Sequence, residues 1–152
     1  MATSIAEHQA VRLAHAEAHA ALHGLALTPL RRQVYAAIVA SDRPIGAYEL
    51  LDALEPQRGR VPPTTIYRAL DFLLANGLVH RIESRNAFIA CINNHASGSL
   101  VVFLICERCG AVGEAPATAV ADALLVAASA ASFVPKTPVI EITGVCAHCR
   151  TP

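Results

Sequence analysis

The sequence predicts an α+β protein: a mostly helical N-terminal part that ends in a β-hairpin, and a small C-terminal α/β domain with an antiparallel sheet. In the first part apolar residues recur at helical spacing, and two β-rich runs separated by a polar turn follow them. The second part carries two C-x-x-C pairs in a stretch too short to hold a core easily unaided. With 54% hydrophobic and 16% charged residues among 152, the chain is too apolar to be disordered.

The first two helices are predicted from composition and capping. Residues 6–23 are rich in alanine and contain neither proline nor glycine. Thr28 is a suitable N-cap and Pro29 fits the first turn, so the second helix is expected to begin there. Three histidines of the first helix recur every four residues and share a face: His15, His19 and His23. A solvated polar face is the favoured interpretation, because a surface stripe offers no closed coordination shell, and a metal site is the alternative.

Prolines and a glycine bound the next two helices. The third is expected between Pro44 and Pro56, since proline removes a backbone donor and disfavours helical geometry at the preceding residue. The fourth is expected to begin near Pro62 and to end at Gly77, which can adopt the left-handed C-terminal conformation. Its predicted buried face consists of Ile66, Ala69, Leu70, Leu73 and Leu74. Its other face presents Thr65, Arg68 and Asp71, with Tyr67 at the edge.

Two strands, 78–83 and 87–92, are predicted after the fourth helix, joined by a polar turn at 84–86. Helices followed by a two-stranded hairpin form a winged helix-turn-helix, in which the second helix of the pair enters the major groove of DNA. Apolar periodicity is then lost, which predicts a hinge. The predicted organisation is a winged-helix DNA-binding domain at 1–92, a hinge at 93–99 and a second domain at 100–152.

The charge distribution agrees with a local DNA-binding face. The 12 Lys and Arg residues balance the 12 Asp and Glu residues, so the chain is not uniformly basic. Nine of the 12 basic residues nevertheless lie at or before Arg85. Between Pro56 and Leu70 there are three arginines and no carboxylate. Positive charge is therefore concentrated where the fourth helix begins.

The C-terminal part is predicted to run strand 100–106, strand 111–115, helix 117–132 and strand 138–142. No opening segment combines a basic start with an apolar run and a cleavage site. The small-residue stretch 115–135 is interrupted by Asp122, which argues against a membrane span. The sequence therefore predicts a soluble, cytoplasmic protein with no membrane partner.

Four of the five cysteines form two C-x-x-C pairs, Cys106 with Cys109 and Cys146 with Cys149. In a reducing compartment such pairs indicate metal thiolates, and two disulfides or unligated thiols are the alternative. Four thiolates suit tetrahedral Zn²⁺. A closed four-sulfur shell leaves no position for a substrate water, so this zinc is expected to be structural.

A second zinc site is predicted where the two parts of the chain meet. Cys91 stands at the end of the second wing strand, and His95 follows four residues later. His80 is on the neighbouring wing strand, and Glu114 follows the first cysteine pair. A cysteine, two histidines and a glutamate form a mixed shell that also suits Zn²⁺. Singly, each residue is more often packed or solvated, so the prediction depends on all four coming together.

Several stretches carry a resemblance to a known family: Leu27-Thr28-Pro29 with Arg31, 47–52, 62–74, 78–80, 106–112, and Cys146 with Cys149. With these motifs the sequence resembles the ferric uptake regulator (Fur) family, and within it the zinc-sensing members, over nearly the whole chain after the first helix. The resemblance implies a homodimeric, metal-responsive repressor in which winged helices bind double-stranded operator DNA and the C-terminal domains dimerise.

The resemblance also assigns residues. It implies a structural zinc site at Cys106, Cys109, Cys146 and Cys149, and a regulatory zinc site at His80, Cys91, His95 and Glu114. It implies DNA contacts from Tyr67 and Arg68, with auxiliary contacts from Thr65, Tyr48 and Arg31. Many iron-sensing relatives carry a histidine-rich run before the first cysteine pair, whereas residues 93–99 contain a single histidine. This departure favours zinc over iron.

The predicted function is a zinc-responsive repressor of zinc-uptake genes, with two zinc ions per subunit, no enzymatic activity and no small-molecule substrate. A zinc hydrolase or deaminase in which Glu114 activates a metal-bound water is an alternative from another class. Such a zinc needs an open position and an acid–base group beyond its ligands, and no other carboxylate is placed near Cys91 and His95. A third alternative is a dimer in which zinc has a purely structural role, but this alternative does not explain the exposed Tyr67-Arg68 pair.

Overall fold

The computed structural model describes residues 5–91, 100–115, 117–136 and 139–150. The chain divides into two compact units, Met1–Cys91 (the winged-helix unit) and Ile92–Pro152 (the C-terminal unit). Helices and small sheets occur in both, so the predicted α+β class is confirmed. The predicted hinge at 93–99 lies outside the described residues.

The winged-helix unit contains α1 (Ile5–Leu22), α2 (Pro29–Ala40), α3 (Ala47–Arg58), α4 (Pro63–Ala75), β1 (Val79–Ile82) and β2 (Ala87–Ala90). The backbone amide of Arg31 donates to Thr28 Oγ1 at 3.4 Å, so the predicted N-cap of α2 is confirmed. The most deeply buried side chains of this unit include Val34, Leu50, Ile66, Leu70, Leu73 and Val79. They come from α2, α3, α4 and the hairpin, which therefore share one hydrophobic core.

The prediction that the third helix ends before Pro56 is wrong. Helix α3 continues to Arg58 with Pro56 inside it. Pro56 stands in the last turn, where its missing N–H removes a single backbone hydrogen bond and its fixed φ suits the helix. The amide of Gly59, whose φ is 72°, then donates to Glu55 O at 2.8 Å and closes the helix.

The hairpin is antiparallel, with Val79 opposite Ala90 and Ile82 opposite Ala87. A 3₁₀ turn at Glu83–Arg85 joins the strands, and Asn86 takes a left-handed conformation with φ 47°. The hairpin also pairs with the chain before α3, because Ile45 N donates to Phe88 O at 3.0 Å and Phe88 N to Ile45 O at 2.9 Å. The predicted wing is therefore confirmed, with strands shorter than expected.

The C-terminal unit contains β3 (Val101–Cys106), β4 (Val112–Ala115), α5 (Thr118–Ala130), β5 (Val139–Gly144) and the short α6 (Ala147–Arg150). Its sheet has the order β4-β3-β5. Strands β3 and β4 are antiparallel, as predicted, but β3 and β5 are parallel. The prediction of an antiparallel sheet is thus wrong for β5. A tight turn forces β4 to reverse direction, whereas the connection through α5 is long enough for either pairing.

Helix α5 leaves its apolar side chains exposed. None of its described residues is buried, and Val126 is 70% exposed. The other exposed large apolar residues of the helix are Val120, Leu124 and Leu125. An uncovered apolar surface of this kind is typical of a protein interface. Among the described residues, no helix combines the length and apolarity needed to cross a bilayer.

Candidate functional site

The four cysteines of the two pairs come together at one end of the C-terminal sheet. Their sulfur atoms all lie within 4.8 Å of one another, and Cys109 Sγ is 3.8 Å from Cys146 Sγ. A tetrahedral zinc with Zn–S bonds of about 2.3 Å places neighbouring sulfurs about 3.8 Å apart. A disulfide needs about 2.05 Å, and all five cysteines are free thiols. The cluster therefore fits tetrahedral Zn²⁺, and its predicted gathering is confirmed.

The parallel pairing of β3 and β5 builds this cluster. Cys106 ends β3 and lies opposite Gly144 at the end of β5, two residues before Cys146. The amide of Glu107 extends the pairing by donating to Gly144 O at 2.9 Å. Parallel strands end at the same edge of a sheet, so both C-x-x-C turns begin there. An antiparallel β5 would have carried its turn to the opposite edge.

Hydrogen bonds within the cluster shift the pKa values of two of its thiols, those of Cys106 and Cys149. Amides of Cys109 and Cys146 donate to the Cys106 sulfur and lower the pKa of that thiol to about 6. The Cys146 amide nitrogen lies 3.4 Å from Cys106 Sγ. Hydrogen bonds from the Cys149 thiol to the sulfurs of Cys109 and Cys146 raise its pKa to about 12. A bound cation replaces these protons, so metal binding is linked to proton release.

Arg108 supports the cluster and was not predicted to do so. Its Nη1 donates to the carbonyl oxygen of Cys149 at 2.7 Å, which ties the first cysteine turn to the second. The hydrogen bond crosses 41 positions of sequence. The sign of this role in the sequence was a side chain with several hydrogen-bond donors placed between the two cysteines of one pair.

The hairpin brings two of the four predicted regulatory ligands together. His80 is on β1, and Cys91 follows β2 with its amide donating to Leu78 O at 3.0 Å. A ring nitrogen of His80 lies within 4.8 Å of Cys91 Sγ, and both residues are half-buried. Glu114 belongs to the C-terminal unit, on β4 opposite Phe103, and is also half-buried. His95 lies outside the described residues, so the complete set stays a prediction.

The outward face of α4 carries the predicted DNA contacts. Tyr67 is 41% exposed and Arg68 is exposed, while Thr65 is half-buried in the first turn. Tyr48, on α3, is 69% exposed. Among the described residues Arg68 makes no ion pair or hydrogen bond, whereas Arg60 lies 3.8 Å from Glu55. No acidic residue occupies the first turn of α4, so the positive end of its dipole is not neutralised there.

Arg31 has a structural role that the sequence did not reveal. Its guanidinium carbon lies 3.6 Å from the ring centroid of Phe72, on α4. Its Nη1 donates to the carbonyl oxygen of Ala26 at 2.6 Å. These contacts fix the start of α2 against α4. The predicted auxiliary DNA contact of Arg31 stays a prediction.

Replacing Arg31 with alanine is expected to destabilise the winged-helix unit by about 1–2 kcal/mol, because a cation–π contact and a hydrogen bond are both lost. Arg32→Ala is the matched control. It removes an exposed ion pair with Glu17, 2.6 Å long, and should cost about 1 kcal/mol or less. Denaturant unfolding followed by circular dichroism measures both changes. Equal stability losses in the two variants would contradict the role assigned to Arg31.

Comparison with known proteins identifies the family. The sequence profile of the ferric uptake regulator family matches residues 22–142, which is most of the chain. The chain belongs to the ferric uptake regulator family. This family member is 40% identical over 137 residues to the zinc uptake regulation protein of Escherichia coli (strain K12), covering 90% of this chain and 80% of that protein. The resemblance inferred from the motifs is confirmed.

Solved structures of family members support the same family assignment. A zinc uptake regulator complexed with zinc and DNA matches with a TM-score of 0.86 and 39% identity, covering 93% of this chain and 94% of that chain. The holo form of XcZur matches with a TM-score of 0.82 and 40% identity, covering 92% of this chain and 97% of that chain.

Proposed function

We propose that this member of the ferric uptake regulator family is a zinc-responsive transcriptional repressor that acts in the cytoplasm. It binds double-stranded operator DNA as a zinc-loaded homodimer and represses zinc-uptake genes. The similar Escherichia coli protein is a zinc uptake regulation protein, and a similar solved structure contains zinc and DNA. The family consists of transcription regulators, which favours this function over an enzyme and leaves no small-molecule substrate to assign.

The observation that carries the DNA-binding proposal is the exposed, unpaired Arg68 on α4, within the described part of the chain. One face of α4 is held in the core by Ile66, Leu70 and Leu73, so the opposite face is presented rigidly to solvent. An arginine on a helix in the major groove can donate two hydrogen bonds to a guanine. Tyr67 beside it offers a ring for a thymine methyl and a hydroxyl for a phosphate.

Two zinc ions per subunit are proposed. The four-sulfur cluster holds a structural ion, because its shell is complete without water. His80, Cys91, His95 and Glu114 hold the regulatory ion through nitrogen, sulfur and oxygen donors. The proximity of His80 and Cys91 supports this set, as does the half-buried carboxylate of Glu114.

The proposed regulation is a coupling between zinc and operator binding. Of the proposed regulatory ligands, His80 and Cys91 belong to the winged-helix unit and Glu114 to the C-terminal unit, and His95 lies between Cys91 and Glu114 in the sequence. A zinc ion held by them restricts the conformations available to the two units. If the remaining conformations bind operator better, zinc and DNA each raise the affinity for the other.

The exposed apolar surface of α5 supports a homodimer. None of the described residues of the helix is buried, and its large apolar side chains are exposed. On β5, Val139 and Ile142 are also exposed. A second copy of the chain is the proposed occupant, since it would bury these side chains in the same way on both subunits.

Operator binding measured against zinc tests the proposed function. The full-length protein, with its structural zinc, is titrated with its own promoter DNA in a gel-shift assay while free zinc is raised from chelated to replete. Binding that rises with zinc is the expected result. Binding that is equal at both limits, or binding to unrelated DNA with the same affinity, would count against a zinc-responsive repressor.

Arg68→Ala is expected to weaken discrimination for the operator by about 1–3 kcal/mol, the contribution of an arginine that contacts a guanine edge. Lys136→Ala is the matched control, because it removes the same charge from the C-terminal unit. Fluorescence anisotropy with operator and with scrambled DNA separates loss of specificity from loss of general attraction. Unchanged operator affinity in a folded Arg68→Ala protein would rule out this contact.

A further inference from the structure

We propose that His19 and His23, at the C-terminal end of α1, form a surface binding site for one divalent transition-metal ion of the Zn²⁺ and Ni²⁺ class. The site lies in the winged-helix unit and shares no residue with the cysteine cluster or the regulatory ligands. His23 comes directly after Leu22, the last residue of α1, and its amide donates to His19 O at 3.2 Å. The helical pattern thus continues to His23, which places the two side chains on one face.

The imidazole of His23 is held in one orientation. Its Nδ1 lies 2.8 Å from the carbonyl oxygen of His19. A carbonyl oxygen can only accept, so Nδ1 carries the proton in this contact. In the neutral ring Nε2 then has a free lone pair. Metal-binding histidines are commonly oriented in this way, with one nitrogen donating to a backbone carbonyl and the other facing the ion.

The two rings are close enough to share an ion. Their centroids are 4.2 Å apart and their planes are inclined by 30°. Two imidazoles on one tetrahedral Zn²⁺, with Zn–N bonds of about 2.0–2.1 Å, have ring centroids about 5 Å apart. The two rings would therefore move apart by about 1 Å to bind the same ion. Two histidines four residues apart on a helix are an established metal-binding arrangement.

The end of the helix also favours a cation. The last carbonyl groups of α1 carry partial negative charge, and both histidines are in or next to its last turn. His23 is exposed and His19 half-buried, so an ion can enter and complete its shell with water. Since an open site with two protein ligands binds more weakly than a closed shell, it fills only after the thiolate sites.

Nickel binding to the zinc-loaded, full-length protein tests the site. The protein is dialysed against Ni²⁺, and nickel and zinc are counted in the same sample, so any nickel that replaces zinc is recognised. Wild-type protein should bind one nickel ion per chain. His19→Gln and His23→Gln should each lower nickel affinity at least about tenfold, because one of two protein ligands is lost.

His15→Gln is the matched control, since it removes an imidazole from the same face but outside the stacked pair. Glutamine is a good helix former and none of the three histidines is buried, so all three variants should fold. Retained nickel binding in His15→Gln, together with its loss in the other two variants, supports the pair as the site. Undiminished binding in His23→Gln, or an equal loss in His15→Gln, overturns it.

Discussion

Replacing Cys106 with serine is expected to unfold the C-terminal unit and to abolish the homodimer. Cys106 is buried, ends the central strand and contributes one of four sulfurs to the cluster. A serine hydroxyl is a poor zinc ligand, and the apparent free energy of a structural zinc site is about 10–16 kcal/mol in small zinc-binding domains. The large apolar side chains buried among the described residues of this unit are only those of Val101, Val102, Phe103 and Ile105, all on β3, and so small a core cannot replace the metal.

Size-exclusion chromatography and zinc content measure this effect. The Cys106→Ser protein should elute away from the dimer position and contain one zinc ion fewer per chain than the wild type. Cys91→Ser is the control, because Cys91 lies outside the four-sulfur cluster. A Cys106→Ser dimer that retains its full zinc content would disprove the structural role of the cluster.

Replacing Cys91 with serine is expected to leave a folded dimer that no longer responds to zinc. The four-sulfur cluster is intact in this variant, so its ion should remain. The regulatory site loses its only sulfur ligand. Coupling between two ligands is typically about 1–3 kcal/mol, which corresponds to roughly 5–150-fold in operator affinity. Zinc should tighten operator binding of the wild type by such a factor and leave the variant almost unchanged.

Operator affinity at controlled free zinc, measured by fluorescence anisotropy, tests this expectation. Cys91→His is the informative companion, because an imidazole can replace a thiolate as a zinc ligand and should restore part of the response. Linkage adds a second measurement: operator DNA should raise zinc affinity of the wild type by the same factor. Zinc-dependent binding that persists in Cys91→Ser would place the sensing site elsewhere.

The local structure of this chain could be predicted from its sequence. Capping residues, prolines and apolar spacing fixed the helices and the wing, since these signals act within a few residues. Thr28 caps α2 as expected, and Gly77 follows α4 with a φ of 68°. The end of the third helix was predicted wrongly at Pro56, because proline disrupts a helix less when it stands in the last turn.

The residues of the candidate sites could be predicted from the sequence, but their arrangement in space could not. The spacing of the C-x-x-C pairs identified the thiolates, because each pair is defined within four positions. Exposed Tyr67 and Arg68 followed from the helical period, which also identified their buried neighbours. Neither signal could determine that Arg108 would donate to Cys149 across 41 positions.

The sequence by itself therefore determined most of the elements, the exposed face of α4 and which four cysteines form the cluster. Tertiary structure decided that β5 lies beside β3 and runs parallel to it. Thirty-six residues separate Cys109 from Cys146, and local preferences do not choose between parallel and antiparallel pairing over such a distance. In the folded chain β5 pairs with β3 in the parallel direction, and this pairing brings the four sulfurs to the same edge of the sheet. Arg31 shows the same limit, because only the packing of α2 on α4 brings its guanidinium onto Phe72.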